Sequence, residues 1–295
     1  MVYTEISSNK RRTALFVAFF LLLIIGLGYV FSTVTREPLL LPLAVGLSLI
    51  MSFVSYFYSD RIVLSISGAR EIGRDEDPEL YRSVENLSIA AGLPTPRVYV
   101  IADSAPNAFA TGRDPEHAVV AITTGLRAKL TKPELEGVMA HELSHIGNYD
   151  IRLSTIIVVL VGVVTLLSDW LFRSSLFGRR RSNDNSGGVF LILGLVLALL
   201  SPIAATLIQL AISRRREFLA DASGALLTRY PQGLASALKK IAGDQEPLEA
   251  ANKATAHLYI VNPLKSEDRR SLFAGLFDTH PPIAERIKRL DEMNL

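Results

Sequence analysis

The sequence predicts a mainly helical α+β fold carried on four transmembrane helices. Three observations predict it: four long apolar runs, a helix-start signature leading into His141-Glu-Leu-Ser-His145, and short β-prone segments bounded by Pro, Gly and Asp. Apolar residues make up 49% of the 295 residues and mean hydropathy is +0.30, with the excess concentrated in the four runs. They divide the chain into apolar pairs alternating with polar blocks: 1–58, 59–152, 153–212 and 213–295.

In the first pair, Ala14 to Val34 and Leu39 to Tyr58 are each long enough to cross a bilayer core about 30 Å thick, with Arg36, Glu37 and Pro38 as the turn. Lys10, Arg11 and Arg12 before the first run suit a signal peptide as well. Its apolar core is too long for one and no small-residue cleavage site follows, so an uncleaved anchor is expected. The second pair, Leu153 to Phe172 and Val189 to Ile212, is interrupted by an Arg-, Ser-, Asn- and Gly-rich loop at 173–188. Asp169, Pro202 and Gln209 lie within this pair, which leaves buried core helices or a shallow hairpin as alternatives to two spans.

Basic residues beside the spans orient the chain. Lys10, Arg11, Arg12, Arg61 and Arg214 to Arg216 fall on one side of a four-span arrangement, the cytoplasmic side by the positive-inside rule. Arg173 and Arg179 to Arg181 fall on the other, against that rule, and only a shallow second hairpin would remove the conflict. Both polar blocks then share one side, where a single site can draw on both. The net charge of +2 is small and the Arg runs adjoin apolar segments, which suits anchoring at a lipid surface rather than nucleic acid. There is no cysteine, so disulfides, thiolate ligands and a thiol nucleophile are excluded.

Within the first polar block, Arg97 to Ile101, Ala108 to Thr111 and Ala118 to Thr124 predict a small sheet. It either covers the following helix structurally or offers an edge on which an extended peptide adds as a strand. Thr131 then N-caps a helix, with Pro133 in its first turn and Glu134 three residues on as in a capping box. On that helix His141 and His145, at i and i+4, stack on one face and can reach one metal ion. Glu142 points roughly 100° around the helix and can reach a water beside the metal instead. Two ligands plus a carboxylate base form the combination that peptide hydrolysis needs, whereas a helix-surface His pair by itself is often only solvated.

A catalytic zinc takes three protein ligands and leaves a position open. Glu217 is the leading candidate for the third. It precedes Asp221 by one helical turn, and two carboxylates so placed repel unless one binds the metal and the other accepts from a ligand imidazole. Ala220, Ala222, Ser223, Gly224 and Ala225 let this helix approach the His-bearing one closely. The alternative is a solvated acidic face balanced by Arg214 to Arg216.

Pro106 to Gly112, His141-Glu-Leu-Ser-His145, Arg216-Glu-Phe-Leu-Ala-Asp221 and Thr279-His-Pro-Pro282, set between two pairs of apolar runs, resemble the HtpX-type membrane zinc metalloproteases, relatives of the Ste-type CAAX prenyl proteases. The resemblance covers nearly the whole chain. It implies a zincin-like, gluzincin-class domain with one Zn2+ per chain on His141, His145 and Glu217, Glu142 as base and Asp221 behind the ligands. It also implies a multi-pass protein of the cell inner membrane whose catalytic domain faces the cytoplasm, and a quality-control role on misfolded or surplus membrane proteins.

Of the remaining histidines, His280 sits before an amphipathic helix marked by Ile283, Ile287 and Leu290. It either neighbours that helix start or faces the cleft as a donor to the oxyanion of the tetrahedral intermediate. His117 and His257 are expected at the surface or in packing. Two rival functions compete with the endopeptidase. A membrane scaffold or transporter with a structural metal site has no use for Glu142, and an intramembrane-cleaving metalloprotease conflicts with Lys129, Lys132, Glu134 and Glu136 just before the motif. Composition and spacing leave the oligomeric state open.

Overall fold

The computed structural model describes residues 2–163, 214–244, 246–250, 255–261 and 281–293. Helix α1 spans Val2–Thr35 and α2 Leu40–Phe57, joined at Arg36, whose φ of +56° reverses the chain. Both are long and apolar enough to cross a membrane. Leu22, Leu43, Ile50 and Phe53 point outward from the pair, as lipid-facing residues do. The two helices cross closely at Gly28, where an added Cβ would lie 2.2 Å from that of Ala44. Helix α1 begins twelve residues before the apolar run, so about 18 Å of it extends beyond that run at 1.5 Å per residue.

Short α3 (Ser59–Ile66) leads to a four-stranded sheet ordered β1-β2-β4-β3, formed by Arg70–Glu71, Arg97–Ile101, Val119–Thr123 and Ala108–Thr111. Strands β2 and β4 are parallel, while β1 and β3 run antiparallel to their neighbours. All five β4 residues are buried, because the two faces of the sheet enter different cores. Val120 and Ile122 join Val98, Ala108 and Ala110 against the helices, whereas Val119 and Ala121 join Tyr99, Ile101 and Phe109 against Val63, Leu64, Val158 and Tyr259. The period of two along each strand thus sorts residues between the cores.

Helix α4 (Pro78–Ala91) is N-capped by Asp77, which accepts from Leu80 N–H, and ends at Gly92 in the left-handed region. Helices α5 (Thr124–Lys129) and α6 (Lys132–Gly147) follow the sheet. After Asn148 and Tyr149 the chain bends by 82° into α7, described over Asp150–Val163. Tyr149 takes φ +59° at the bend. The described part of α7 buries Ile151, Leu153, Ile156, Ile157 and Leu160, so this part of the third apolar run lies inside the protein. Two helices among the described residues are long and apolar enough to span, or three if the bent α6–α7 pair counts as one. The rest of the third run, the loop at 173–188 and the fourth run lie outside the described residues. Helix α8 is described over Arg214–Thr228, followed by α9 (Pro231–Gly243) and α10 (Ile283–Asp291).

Candidate active site

Helix α6 is central to the larger core: Leu135, Val138, Met139, Ala140 and Ile146 are fully buried. Its start is fastened by Glu134, whose carboxylate accepts from Thr131 N–H at 2.7 Å and Thr131 Oγ1 at 2.9 Å. Lys240 and Ser236 of α9 also donate to Glu134, at 2.7 and 2.6 Å. Burial alone would raise this carboxyl, but those donors hold it down to about 2.

Helix α8 lies directly against the motif. An added Cβ on Gly224 would meet His141 N at 2.9 Å, so the small-residue stretch does bring the two backbones together. His141, Glu142, Glu217 and Asp221 are all buried. His141 and His145 turn their Nε2 atoms toward each other, 3.2 Å apart. Glu217 Oε1 lies 3.5 Å from Nε2 of His145 and its Oε2 3.9 Å from Nε2 of His141. One donor atom from each of the three residues falls within 4.8 Å of the others. In a tetrahedral site with bonds of about 2.0–2.1 Å, neighbouring ligand atoms stand about 3.3 Å apart, so this triangle fits one small transition-metal ion.

Behind each imidazole stands a carboxylate. Asp221 Oδ1 lies 3.0 Å from His141 Nδ1, and Asp150 Oδ2 lies 3.0 Å from His145 Nδ1. Both contacts direct Nε2 toward the metal position. Asp150 was missed in the sequence, where it reads as an isolated acid at the start of an apolar run. Arg286 was missed too, because α10 reads as amphipathic with its charged residues outward. The structure instead buries it completely, with its guanidinium on both Asp221 oxygens at 2.8 and 2.7 Å and on Ile260 O at 2.9 Å. Arg286 Nη1 is also 3.6 Å from Glu217 Oε2.

Glu142 stands apart from the triangle and accepts a hydrogen bond from the backbone of Ala110 on β3. Burial, reinforced by Glu217 and opposed by His145, pushes its carboxyl up to about 7, where a general base serves best at neutral pH. Burial would depress His145, but Asp150, Glu217 and Glu142 outweigh it and bring the imidazole up to about 9. His141 is lowered by burial, against the pull of Asp221.

A cavity of about 40 Å³ lies over the triangle, walled by Ala110, Ile151, Ser154 and residues 257–260. His257 lines it, buried, with Nε2 3.3 Å from Ser154 O, so it belongs to the site's wall. Segment 255–261 runs beside the β3 edge, and Ile260 N–H donates to Ala108 O at 2.9 Å. One acceptor of the edge expected to receive a peptide is therefore taken by the chain itself. His117 is exposed and bonded to Asp114. His280 lies outside the described residues.

Fold and site together define a membrane metallopeptidase with a His-Glu-x-x-His helix and a glutamate from a second helix. Residues 74–294 match Peptidase family M48, and the chain belongs to that family. It is 50% identical over 296 residues to a "Protease HtpX homolog" of Tropheryma whipplei (strain Twist), covering 99% of each chain. Homologues of the same name from Dictyoglomus turgidum and Lactobacillus acidophilus are 48% and 45% identical, each over 99% of this chain and 94% and 100% of theirs. The solved structure of S. mikatae Ste24p superposes with a TM-score of 0.51 at 20% identity, covering 98% of this chain and 67% of that one, and so shares the fold.

Proposed function

We propose that this metallopeptidase is a zinc endopeptidase of the cell inner membrane that cleaves misfolded or surplus membrane proteins presented as extended segments. The carrying observation is the triangle of His141, His145 and Glu217 with Glu142 beside it but outside it. Two imidazoles and one carboxylate suit zinc, and a purely structural site has no use for an additional buried acid.

A bound zinc ion would supply Lewis acidity to the scissile carbonyl and to water. Glu142 takes the proton from the attacking water and returns it to the leaving amine. Asp150 and Asp221 keep the two imidazoles aimed, and Arg286 keeps Asp221 charged. The substrate lies along β3 near Ala110, past the acceptor taken by Ile260, and His280 donates to the developing oxyanion. Four helices span the membrane and the polar blocks face the cytoplasm, placing α6 and α8 on the same side as the basic residues flanking the spans.

Glu142→Gln tests the reading. Zinc should remain near one per chain while casein cleavage and turnover of membrane-protein substrates are lost. Zinc loss, or near-normal cleavage, would remove Glu142 from the role of base. Single cysteines at the exposed positions Asn86 and Gln232 should label from the cytoplasmic face, and labelling of the two from opposite faces would rule out the shared site.

A further inference from the structure

We propose that Asn9, on the first membrane helix, is a positioning residue of the metal site, acting through Asp150 on the His145 imidazole. This rests on the metallopeptidase reading above. Asn9 is buried to 1% exposure although Lys10, Arg11 and Arg12 beside it are exposed. Its side-chain amide reaches 141 residues along the sequence to donate to Asp150 Oδ1 at 2.7 Å, and it donates to Asn148 O at 3.0 Å. Those two acceptors bracket Tyr149, the left-handed residue of the 82° bend at which α6 ends and α7 begins. Lys10 lies over the Tyr149 ring at 4.3 Å, a second contact from α1 to the same bend.

Asp150 has two jobs that need a single orientation. Its Oδ2 holds His145 Nδ1 at 3.0 Å, while its Oδ1 receives Asn9 and, at 3.1 Å, Arg216 Nε. Donors from α1 and α8 thus grip one oxygen and leave the other aimed at His145. Arg216 is the chain neighbour of Glu217, so it moves with that ligand's helix, and Asn9 is the donor independent of α8. With Asn9 removed, the bend keeps a strained residue and loses a tie on each side of it. The carboxylate is then free to follow Arg216 away from the imidazole. The anchor helix is accordingly part of the site and not only a tether.

The test uses the full-length protein in detergent or bilayer. Asn9→Ala should weaken zinc about tenfold in chelator competition, the scale of losses behind a metal ligand, and alter the d–d spectrum of the Co2+-loaded protein. With a soluble peptide, kcat should fall and KM stay unchanged. Asn9→Asp keeps the shape but turns a donor into a charge facing Asp150, and should lose more. Thr13→Val, which removes a hydroxyl that among the described residues bonds to Asn9 O, should match the wild type. Combined with Asp150→Ala, Asn9→Ala should add little further loss of zinc affinity, because its effect on the His145 imidazole passes through Asp150, the Asn148 tie bearing on the bend alone. Wild-type zinc affinity and cobalt spectrum in both Asn9 variants, or losses that multiply with Asp150→Ala, would overturn the proposal alone. A wild-type chain that takes up neither zinc nor cobalt would overturn the metallopeptidase reading and the proposal with it.

Discussion

Gly224→Ala separates metal-site geometry from folding. A Cβ at this position would lie 2.9 Å from His141 N and 3.2 Å from His141 Cα. Such contacts are comfortable at about 3.5 Å or more, so α8 must withdraw from α6 by about 0.6 Å locally. The atoms met, with Ala140 C at 3.2 Å among them, are all backbone of the motif helix, which is packed into the larger core at this point and cannot yield as a side-chain tip would. Glu217 lies seven residues earlier on the same helix, and metal–ligand distances tolerate only about 0.2 Å. Overpacking costs about 1–3 kcal/mol, and alanine recovers about 1 kcal/mol over glycine inside a helix. Net stability should therefore drop by no more than about 2 kcal/mol while zinc affinity falls about tenfold or more. Chelator competition and thermal melting with and without EDTA measure the two separately. Gly147→Ala is the control, since its added Cβ meets only Leu93 side-chain atoms at 3.5 and 3.7 Å. Zinc affinity within about twofold of wild type in Gly224→Ala would refute the view that close packing of α8 on α6 sets the third ligand, as a tenfold loss is 1.4 kcal/mol.

Other expectations follow from the same geometry. Glu217→Ala should abolish tight zinc binding, whereas Asp221→Ala should weaken it by about 10–100-fold; equal affinity in wild type and Glu217→Ala would move the third ligand elsewhere. Arg286→Met strands a buried carboxylate and should destabilise the protein by about 3–5 kcal/mol, much of it recovered in the Arg286→Met, Asp221→Leu double variant without recovery of zinc affinity. Recovered affinity would show that the pair serves folding alone. Zinc affinity should rise with pH up to about 9, because metal-free His145 is protonated below that value and must give up its proton to bind. A pH-independent affinity between 6.5 and 8.5, measured by competition at about single-unit steps, would contradict the raised imidazole.

Much of this site was legible because its signals are local. His141 and His145 share a face by spacing alone, Thr131 and Glu134 mark the helix start, and Asp221 follows from Glu217 by one turn. The first two spans read directly from apolar length, and the strands from their β-branched residues. The missed residues depend on contacts that no short window contains. Asp150 meets Asn9 across 141 residues, and Arg286 meets Asp221 across 65. Arg286 carried an adverse signal besides, since an arginine between Ile283 and Leu290 reads as the wet face of α10. His257 is expected at the surface or in packing, and it is buried; what no short window shows is that residues 255–261, with Ile260 paired to β3, make it part of the cavity wall.

Buried charge explains why those distant residues are there. Around the triangle four carboxylates are buried, Glu142, Asp150, Glu217 and Asp221, against two guanidiniums, Arg216 and Arg286. With neutral imidazoles, two negative charges stay uncompensated in a medium that penalises each by several kcal/mol. Protons answer part of that deficit, which is why His145 is drawn up to about 9 and Glu142 to about 7. A divalent cation held by His141, His145 and Glu217 would supply both charges at once, and its binding would be linked to loss of the proton from His145 and to the ionised, base-competent form of Glu142. Each arginine in turn sits on an acid that faces an imidazole Nδ1, Arg216 on Asp150 and Arg286 on Asp221. Both carboxylates can accept from the ring nitrogens, and against the effect of burial Arg286 together with His141 holds the Asp221 carboxyl below the usual carboxylate range. The deficit that remains falls on Glu142 and Glu217, which both line the cavity over the triangle, where a bound metal ion would relieve it.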